Sequence, residues 1–379
     1  MKILIAPDSF KGSLSAEDAA NAIRQGIVRV DRNAECVLRP VSDGGEGFLS
    51  CILASQEGTL IKAEVLGVSG RFKDSRYAVL TSSTTAVIEA AAACGLQGLR
   101  KTELDALRAT SYGVGQLLSH ALDSGASEIV IGLGGSATND GGLGCLQALG
   151  YRFVDTHNDI IDTPAAAEDL VRIAKLDASQ LRSIPLNLRI RIACDVNNLL
   201  VGKNGATRTF APQKGATAAQ VEQLEEGMQN WANVLREATG RDIAAMPGSG
   251  AAGGLAAGLL TIDQASLEPG IDLVLDTIGF ESDLENCNLV VTGEGAMDRQ
   301  TAFGKAPIGV CRRAKASGVP VLGLAGSLAP GANDLFNHGF DVLEAAVCRP
   351  MSLREAFDDA HVLLADAAER GLRAWLSAK

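Results

Sequence analysis

Five short apolar runs constrain the fold of this 379-residue chain more than any other feature, since each ends in glycine or polar residues. The runs are KILIAPDS at 2–9, EIVIGLGG at 128–135, RIRIACD at 189–195, NLVVTGEG at 288–295 and VPVLGLAGS at 319–327. Their length and β-rich composition are typical of buried parallel strands. Segments with helical periodicity lie between them, including 15–30, where Ser15 and Asp18 form a capping-box variant, 112–126 and 353–376. This alternation predicts an α/β fold with mostly parallel sheets.

Composition limits the classes of function. A net charge of −11 argues against a nucleic-acid partner, because such proteins usually carry a basic face. No apolar run approaches the roughly 18–20 residues of a membrane span, and the N-terminal run is too short for a signal peptide. Eight cysteines without a CxxC pair indicate reduced thiols in the cytoplasm. The four histidines lie outside the glycine-rich segments, which disfavours a histidine-based catalytic triad or zinc site.

Polar and glycine residues are concentrated where the predicted strands end. These stretches are 8–11, 43–47, 132–142, 195–197 and 293–295. Ligands of open α/β sheets bind beyond the carboxyl ends of the strands. The sequence therefore predicts that an active site is built from these stretches.

The segment 129–142, IVIGLGGSATNDGG, admits two interpretations. Gly132, Gly134 and Ala137 fit the G-x-G-x-x-G/A fingerprint of dinucleotide-binding proteins, with Asp155 placed to bind a ribose. In a dinucleotide-binding protein the helix begins within the motif and continues without interruption. Here TNDGG follows the motif, and each glycine in an early helical turn destabilises a helix by about 1 kcal/mol relative to alanine. We therefore expect a second turn, with the helix beginning near Leu143.

A turn of this kind suits phosphate and Mg²⁺ better than a dinucleotide. Successive backbone N–H groups form an anion-binding nest, hydroxyl and amide side chains add donors, and an aspartate can face a cation. No Walker A motif is present, because the GK pairs at 202–203 and 304–305 lack its form. The residues predicted to bind the nucleotide here are Gly134, Gly135, Ser136, Thr138, Asn139 and Asp140.

Longer motifs carry a resemblance to a known family. They are MKILIAPDSFKGSLSA, PVSDGGEG, TSYGVGQL, IGLGGSATNDGG, ACDVNN, FAPQKGA, PGSGAAGG, PGIDLVLD, VVTGEGAMDRQT and GKAPIGV, which span nearly the whole chain. The chain resembles bacterial glycerate kinases of the glycerate 2-kinase type. The resemblance implies ATP-dependent phosphorylation of D-glycerate to 2-phosphoglycerate, with ADP as the other product.

The same resemblance implies a two-domain architecture. A Rossmann-like, three-layer α/β/α domain would be built from both chain ends, residues 1–65 and 288–379. An α/β domain carrying the glycine-rich loops, residues 66–287, would be inserted between them.

Phosphoryl transfer needs cations near the phosphates, a carboxylate for the metal and an acceptor for the substrate proton. Lys11 would contact a phosphate or the glycerate carboxylate, while Asp43 and Glu46 would hold Mg²⁺. Asp195 is a candidate base, because partial burial at a strand edge would raise its pKa. Asp298 competes with Asp43 and Asp195 for the metal or base role.

Three further residues are predicted to bind the nucleotide. Lys214 would clamp a phosphate as a point charge, Gly253 lies in a second possible nest, and Glu294 follows the strand at 288–293. Each candidate also has a structural alternative: a solvated lysine, a turn-forming acid, a helix N-cap or a glycine needed for close helix packing.

Other functions remain open from the residues alone. An NAD-dependent dehydrogenase would use the GLGGSA segment and Asp155, and a glycerate 3-kinase would differ only in the hydroxyl that attacks. A non-catalytic sensor of small anions is a third alternative. The sequence indicates D-glycerate and ATP as partners, no nucleic acid and no membrane, and leaves a homo-oligomer open.

Overall fold

A computed structural model describes residues 1–45, 47–302 and 304–378, and within them thirteen strands and thirteen α-helices form. The strands are β1 Lys2–Ile5, β2 Glu35–Leu38, β3 Gly58–Leu66, β4 Phe72–Leu80, β5 Thr85–Glu89, β6 Glu128–Gly132, β7 Arg152–Asp155, β8 Ile173–Asp177, β9 Arg189–Ala193, β10 Ala265–Glu268, β11 Leu289–Met297, β12 Val321–Leu328 and β13 Val342–Ala345. The helices are α1 Ala16–Val30, α2 Phe48–Ser55, α3 Ala91–Cys94, α4 Tyr112–Asp123, α5 Leu143–Ala148, α6 Ala206–Phe210, α7 Ala218–Thr239, α8 Leu255–Leu259, α9 Gly270–Ile278, α10 Phe280–Leu284, α11 Ala306–Ala316, α12 Leu353–Asp358 and α13 Ala360–Ser377. All five predicted strands are confirmed, and so is the α/β class.

The first compact unit comprises Met1–Asp43, Ser50–Glu57 and Pro269–Lys379. Its five-stranded sheet has the order β13-β12-β11-β1-β2, and every neighbouring pair is parallel. Strand β1 lies inside this sheet between β11 and β2, and its apolar residues Ile3, Leu4 and Ile5 are fully buried. Because all five strands run in one direction, their carboxyl ends lie along a single edge, where ligands of such sheets bind.

Helices α1 and α13 cover this sheet together and form its core with β1, β11 and β12. Helix α1 begins as predicted, because the Ser15 hydroxyl accepts the backbone N–H of Asp18 at 3.1 Å. A Cβ on Gly26 would lie 2.0 Å from the Ala365 carbonyl oxygen, so glycine is required where the two helices cross.

The C-terminal helical segment differs from its prediction as one helix over 353–376. It forms two helices, with Ser352 and Glu355 forming a capping box at the start of α12. Helix α13 buries an apolar face against the sheet, whereas α12 buries none of its residues. The periodicity of the sequence is continuous, but only its second part packs into the core.

The second compact unit comprises Gly44–Leu49 and Gly58–Glu268. Its six-stranded sheet has the order β10-β9-β6-β5-β4-β3, in which β5, β6, β9 and β10 run parallel and the β3–β4 and β4–β5 pairs are antiparallel. A separate antiparallel pair, β7–β8, lies outside the six-stranded sheet. The prediction of mostly parallel sheets missed the long β3–β4 hairpin, whose charged residues interrupt the apolar pattern.

The compact units assign three segments differently from the predicted domain boundaries, namely residues 44–49, 58–65 and 269–287. Residues 58–65 belong with the middle of the chain, because β3 pairs with β4 along nine residue pairs. Residues 269–287 belong with the chain ends, because Arg313 of α11 forms ion pairs with Asp272 and Asp276 of α9 and with Glu281 of α10. The division into two domains itself stays a prediction.

Within the described ranges, no helix is both long enough and apolar enough to cross a bilayer.

Candidate active site

The first unit contains a cavity of about 430 Å³ at the edge where its parallel strands end. Residues that follow β1, β2 and β13 line it, together with the last residues of β11 and β12, Lys305, α12 and the start of α13. The structure brings together three of the predicted site residues here. The charged residues lining the cavity are Asp8, Lys11, Asp43, Glu294 and Lys305.

Asp8 is the most perturbed carboxyl in this cavity. Its side chain is only 8% exposed, and its Oδ1 accepts the N–H of Ser9 at 2.6 Å. Burial raises the pKa of Asp8 to about 7, and the negative charges of Asp43 and Glu294 act in the same direction. A carboxyl with a pKa near neutrality is suited to general-base catalysis. Asp8 belongs to the strand-end stretch 8–11 of the sequence, and that position is the signal that points to it; no role for Asp8 follows from the sequence itself.

Glu294 forms a small polar network at the end of β11. Its carboxylate accepts hydrogen bonds from Thr301 Oγ1 at 2.8 Å and from Lys305 Nζ at 3.2 Å. Burial raises the pKa of Glu294, while these two donors favour its charged form. Lys305 is itself part-exposed at the N-cap position of α11. The network holds a lysine ammonium beside the cavity, where an anionic ligand would be attracted.

The predicted metal ligands do not form a protein cage. Asp298 does not line the cavity; its Oδ1 accepts the N–H of Thr301 at 3.1 Å and so caps the following turn. Glu46 lies outside the described residues. No group of three or more His, Cys, Asp or Glu side chains in the described ranges could hold a metal ion. Mg²⁺ is usually held by one or two carboxylates plus substrate phosphates, so Asp43 at the cavity fits an ion of that kind.

The second unit contains the glycine-rich turn, which connects β6 to α5. Helix α5 begins at Leu143, as predicted, after two glycines with positive φ, Gly141 at +61° and Gly142 at +82°. Asp155 lies in β7, outside the six-stranded sheet, and accepts backbone N–H groups of its own turn. A dinucleotide site needs a helix that continues directly from the glycine motif and an acidic residue on a neighbouring strand of the same sheet. Within the described residues this segment has neither, so the dehydrogenase alternative is not favoured.

Asp140 anchors this turn instead of facing a cation as predicted. The carboxylate is fully buried and accepts hydrogen bonds from the backbone N–H groups of Ser111, Gly142 and Gly144 and from the Ser111 hydroxyl, at 2.7–3.2 Å. Burial raises the pKa of Asp140, and the four donors oppose that rise. With its oxygens committed to these donors, Asp140 fixes the shape of the turn.

Lys214 and Gly253 brace the same turn. The Lys214 ammonium is buried and donates to the Thr138 carbonyl at 2.7 Å and to the Ser136 hydroxyl at 3.2 Å. Burial lowers the pKa of Lys214 to about 8. Gly253 has φ +66°, and a Cβ there would lie 2.1 Å from the Thr138 carbonyl oxygen. Lys214 is therefore not an exposed loop lysine but stabilises the turn from within, and its role as a clamp on phosphate stays a prediction.

The braced turn leaves polar groups without a partner. Within the described ranges, the buried side-chain atoms Thr138 Oγ1 and Asn139 Oδ1 have no hydrogen-bond partner. Gly134 donates its N–H to the Gly44 carbonyl, but no acceptor in the same ranges takes the N–H of Gly135 or Ser136. Buried polar groups in proteins are nearly always paired, so the two buried oxygens of Thr138 and Asn139 are candidates to contact a ligand, whereas Gly135 is exposed and water can pair with its N–H.

Asp195 lies at the end of β9, the strand that pairs with β6. Its side chain is exposed, so the burial on which its predicted role as base depends is not present. The role of Asp195 stays a prediction. The predicted residues thus form two clusters, one in each unit, with Asp195 and Asp298 outside the cavity and the braced turn.

Comparison with known proteins gives a consistent result over the full chain. The sequence model of the Glycerate kinase family matches residues 3–376. The chain is 44% identical to a glycerate kinase of Bacillus subtilis over 360 residues, covering 95% of this chain and 94% of the relative. It is 41% identical to glycerate 2-kinase of Escherichia coli over 361 residues, again covering 95% and 94%.

A solved structure extends this similarity to the fold. A crystal structure from Salmonella typhimurium LT2, described provisionally as glycerate kinase 2, superposes with a TM-score of 0.87 at 39% identity. The alignment covers 100% of this chain and 98% of that one.

Proposed function

Since the chain belongs to the glycerate kinase family, we propose that it transfers the γ-phosphoryl group of Mg-ATP to the 2-hydroxyl of D-glycerate. The products are 2-phosphoglycerate and ADP. The observation that carries the mechanism is the buried Asp8 carboxyl, with a pKa raised to about 7, in a cavity that also holds lysines.

Asp8 accepts the proton of the attacking hydroxyl. As the substrate oxygen forms its bond to phosphorus and the bond to the ADP oxygen breaks, the hydroxyl proton passes to the Asp8 carboxylate. A base with an ordinary carboxyl pKa would be a weaker acceptor at neutral pH, which is why the raised pKa supports this assignment. Asp43 and Glu294 assist by disfavouring the charged form of Asp8.

The remaining residues supply charge and position. Lys11 and Lys305 line the same cavity and would balance the negative charge of the glycerate carboxylate and the transferring phosphoryl group. The unpaired N–H groups of Gly135 and Ser136 would donate to phosphate oxygens, on a turn that Lys214 and Asp140 keep in shape.

Mg²⁺ neutralises phosphate charge when it is bound with the nucleotide. Asp43 is the residue proposed to hold it. The chain's contribution is one or two carboxylates, because no complete cage of protein ligands occurs in the described ranges.

Phosphorus NMR of the reaction product tests the proposal. The folded full-length protein with D-glycerate, ATP and Mg²⁺ should give a 2-phosphoglycerate signal together with ADP, and EDTA should abolish both. A 3-phosphoglycerate signal would leave the kinase activity intact and refute the regiochemistry. No glycerate-dependent ADP formation would refute the proposal as a whole.

A further inference from the structure

The cavity of the first unit has an apolar end that the proposed proton transfer does not use. Helix α12, the start of α13 and the segments after β1 and β13 contribute a wall of apolar side chains to its lining. The main contributors are Phe10, Val347, Leu353, Phe357, Ala360 and Leu363.

Helix α12 presents this wall to solvent. Leu353 and Phe357, four residues apart on one helical face, are 71% and 40% exposed. The helix buries none of its residues, so core packing does not account for its apolar side chains. Single exposed apolar side chains are common on protein surfaces and need no explanation. Several of them together on one concave surface indicate a binding site.

The ring of Phe357 lies against the loop that follows β1. A Cβ on Gly12, which has φ +84°, would lie 3.0 Å from Phe357 Cε2. The ring therefore lies close to the backbone beside Lys11, and the apolar wall is continuous with the charged end of the cavity. A ligand with one aromatic and one anionic part would match this arrangement.

We infer that the apolar end of this cavity binds the purine base of the nucleoside triphosphate, with Phe357 and Leu353 as its contacts. The inference rests on the proposed function, which supplies the two substrates. D-glycerate is a three-carbon acid with only polar groups, and phosphates are charged, so neither would cover an apolar wall. A cavity of about 430 Å³ also lies in the usual range for small-molecule sites and far exceeds what glycerate occupies.

Steady-state kinetics of Phe357→Ala, with Phe336→Ala as the matched control, test this inference. Phe336 is similarly exposed, at 46%, but does not line the cavity. Loss of a stacking aromatic weakens base binding by about tenfold, so the KM for ATP and the inhibition constant of ADP should rise by about that factor. The KM for D-glycerate should change less than about twofold, and Phe357→Tyr should restore nucleotide affinity because it keeps the ring.

Inorganic tripolyphosphate separates the base from the phosphates. It has no base, so its inhibition constant should be the same in the wild type and in Phe357→Ala. An equal loss of ADP and tripolyphosphate affinity, a change confined to the KM for glycerate, or no change in either would overturn the inference.

Calorimetric binding of ADP keeps this test separate from that of the proposed function. If the wild type forms 2-phosphoglycerate but Phe357→Ala binds ADP normally, the inference fails and the function stands. If the wild type does not phosphorylate glycerate, the proposed function fails whatever the ADP titration shows.

Discussion

Replacing Asp8 by Asn should stabilise the protein at alkaline pH and abolish most of its activity. The pKa of Asp8 rises from an ordinary value of 3.8 to about 7 in the folded protein, chiefly through burial. A rise of that size corresponds to about 4 kcal/mol of unfavourable free energy for the charged carboxylate. Asn has nearly the same shape and remains neutral, so the variant avoids this cost.

The sign of the effect follows from linkage. The folded protein binds a proton at Asp8 up to about pH 7, whereas the unfolded chain releases it near pH 3.8. Folding stability from this group is therefore fully present below pH 3.8 and is lost as the pH rises through about 7. The advantage of Asp8→Asn should be about 2 kcal/mol at pH 5 and about 4 kcal/mol at pH 8.

Thermal unfolding of the ligand-free variant and wild type at pH 5 and pH 8 measures this difference. Subtracting the wild type at each pH cancels the other titrating groups. The gain in Tm should grow by roughly 2–4 °C between the two values, because an unfolding entropy of about 2.1 cal/mol/K per residue over a chain of this length makes about 1 kcal/mol worth a little over 1 °C. The same variant should lose about 10²–10⁴-fold in kcat, as expected for removal of a general base. A Tm difference that is the same at both pH values would refute the raised pKa, and retained kcat would refute the catalytic role.

Two further perturbations test the surroundings of the two clusters. Asp43→Asn removes a negative charge that raises the pKa of Asp8, so the acidic limb of the kcat/KM profile for D-glycerate should move to lower pH; an unmoved limb would show that the base is another group. Gly253→Ala should lower kcat at least about tenfold, because its Cβ would lie 2.1 Å from the Thr138 carbonyl and displace the turn. Gly240→Ala is its matched control, with φ +67° against +66° and no atom within 4 Å of its Cβ; it should cost about 1 kcal/mol in unfolding free energy with unchanged kcat, and equal losses of activity in both variants would refute the steric argument.

Local patterns in the sequence predicted the elements that position the clusters. The five strand runs and the start of α5 at Leu143 depend on composition and glycine placement within a few residues, which a sequence displays directly. Lys214 and Gly253 lie against the glycine-rich turn, next to three of the other residues predicted to bind the nucleotide, whereas their role in binding it stays a prediction.

The roles within those clusters could not be predicted in the same way. The Asp140 carboxylate accepts hydrogen bonds from the backbone N–H and the hydroxyl of Ser111. The Lys214 ammonium points into the protein because it donates hydrogen bonds to Ser136 and Thr138. Those partners are 29, 78 and 76 positions away, so nothing local distinguishes a bracing lysine from an exposed one. The raised pKa of Asp8 likewise depends on burial and on residues distant in sequence.

The contrast between two buried aspartates shows how one side chain type serves both structure and chemistry. Asp140 and Asp8 each follow a parallel strand and are largely removed from water. Asp140 accepts four hydrogen bonds, which compensate its charge and leave its oxygens no freedom to act on a substrate. Asp8 accepts the N–H of Ser9 and faces two further carboxyl groups, so its charge is poorly compensated and its proton affinity is high. In a chain without a histidine in either cluster, this poorly compensated carboxylate is the group best able to take a proton at neutral pH.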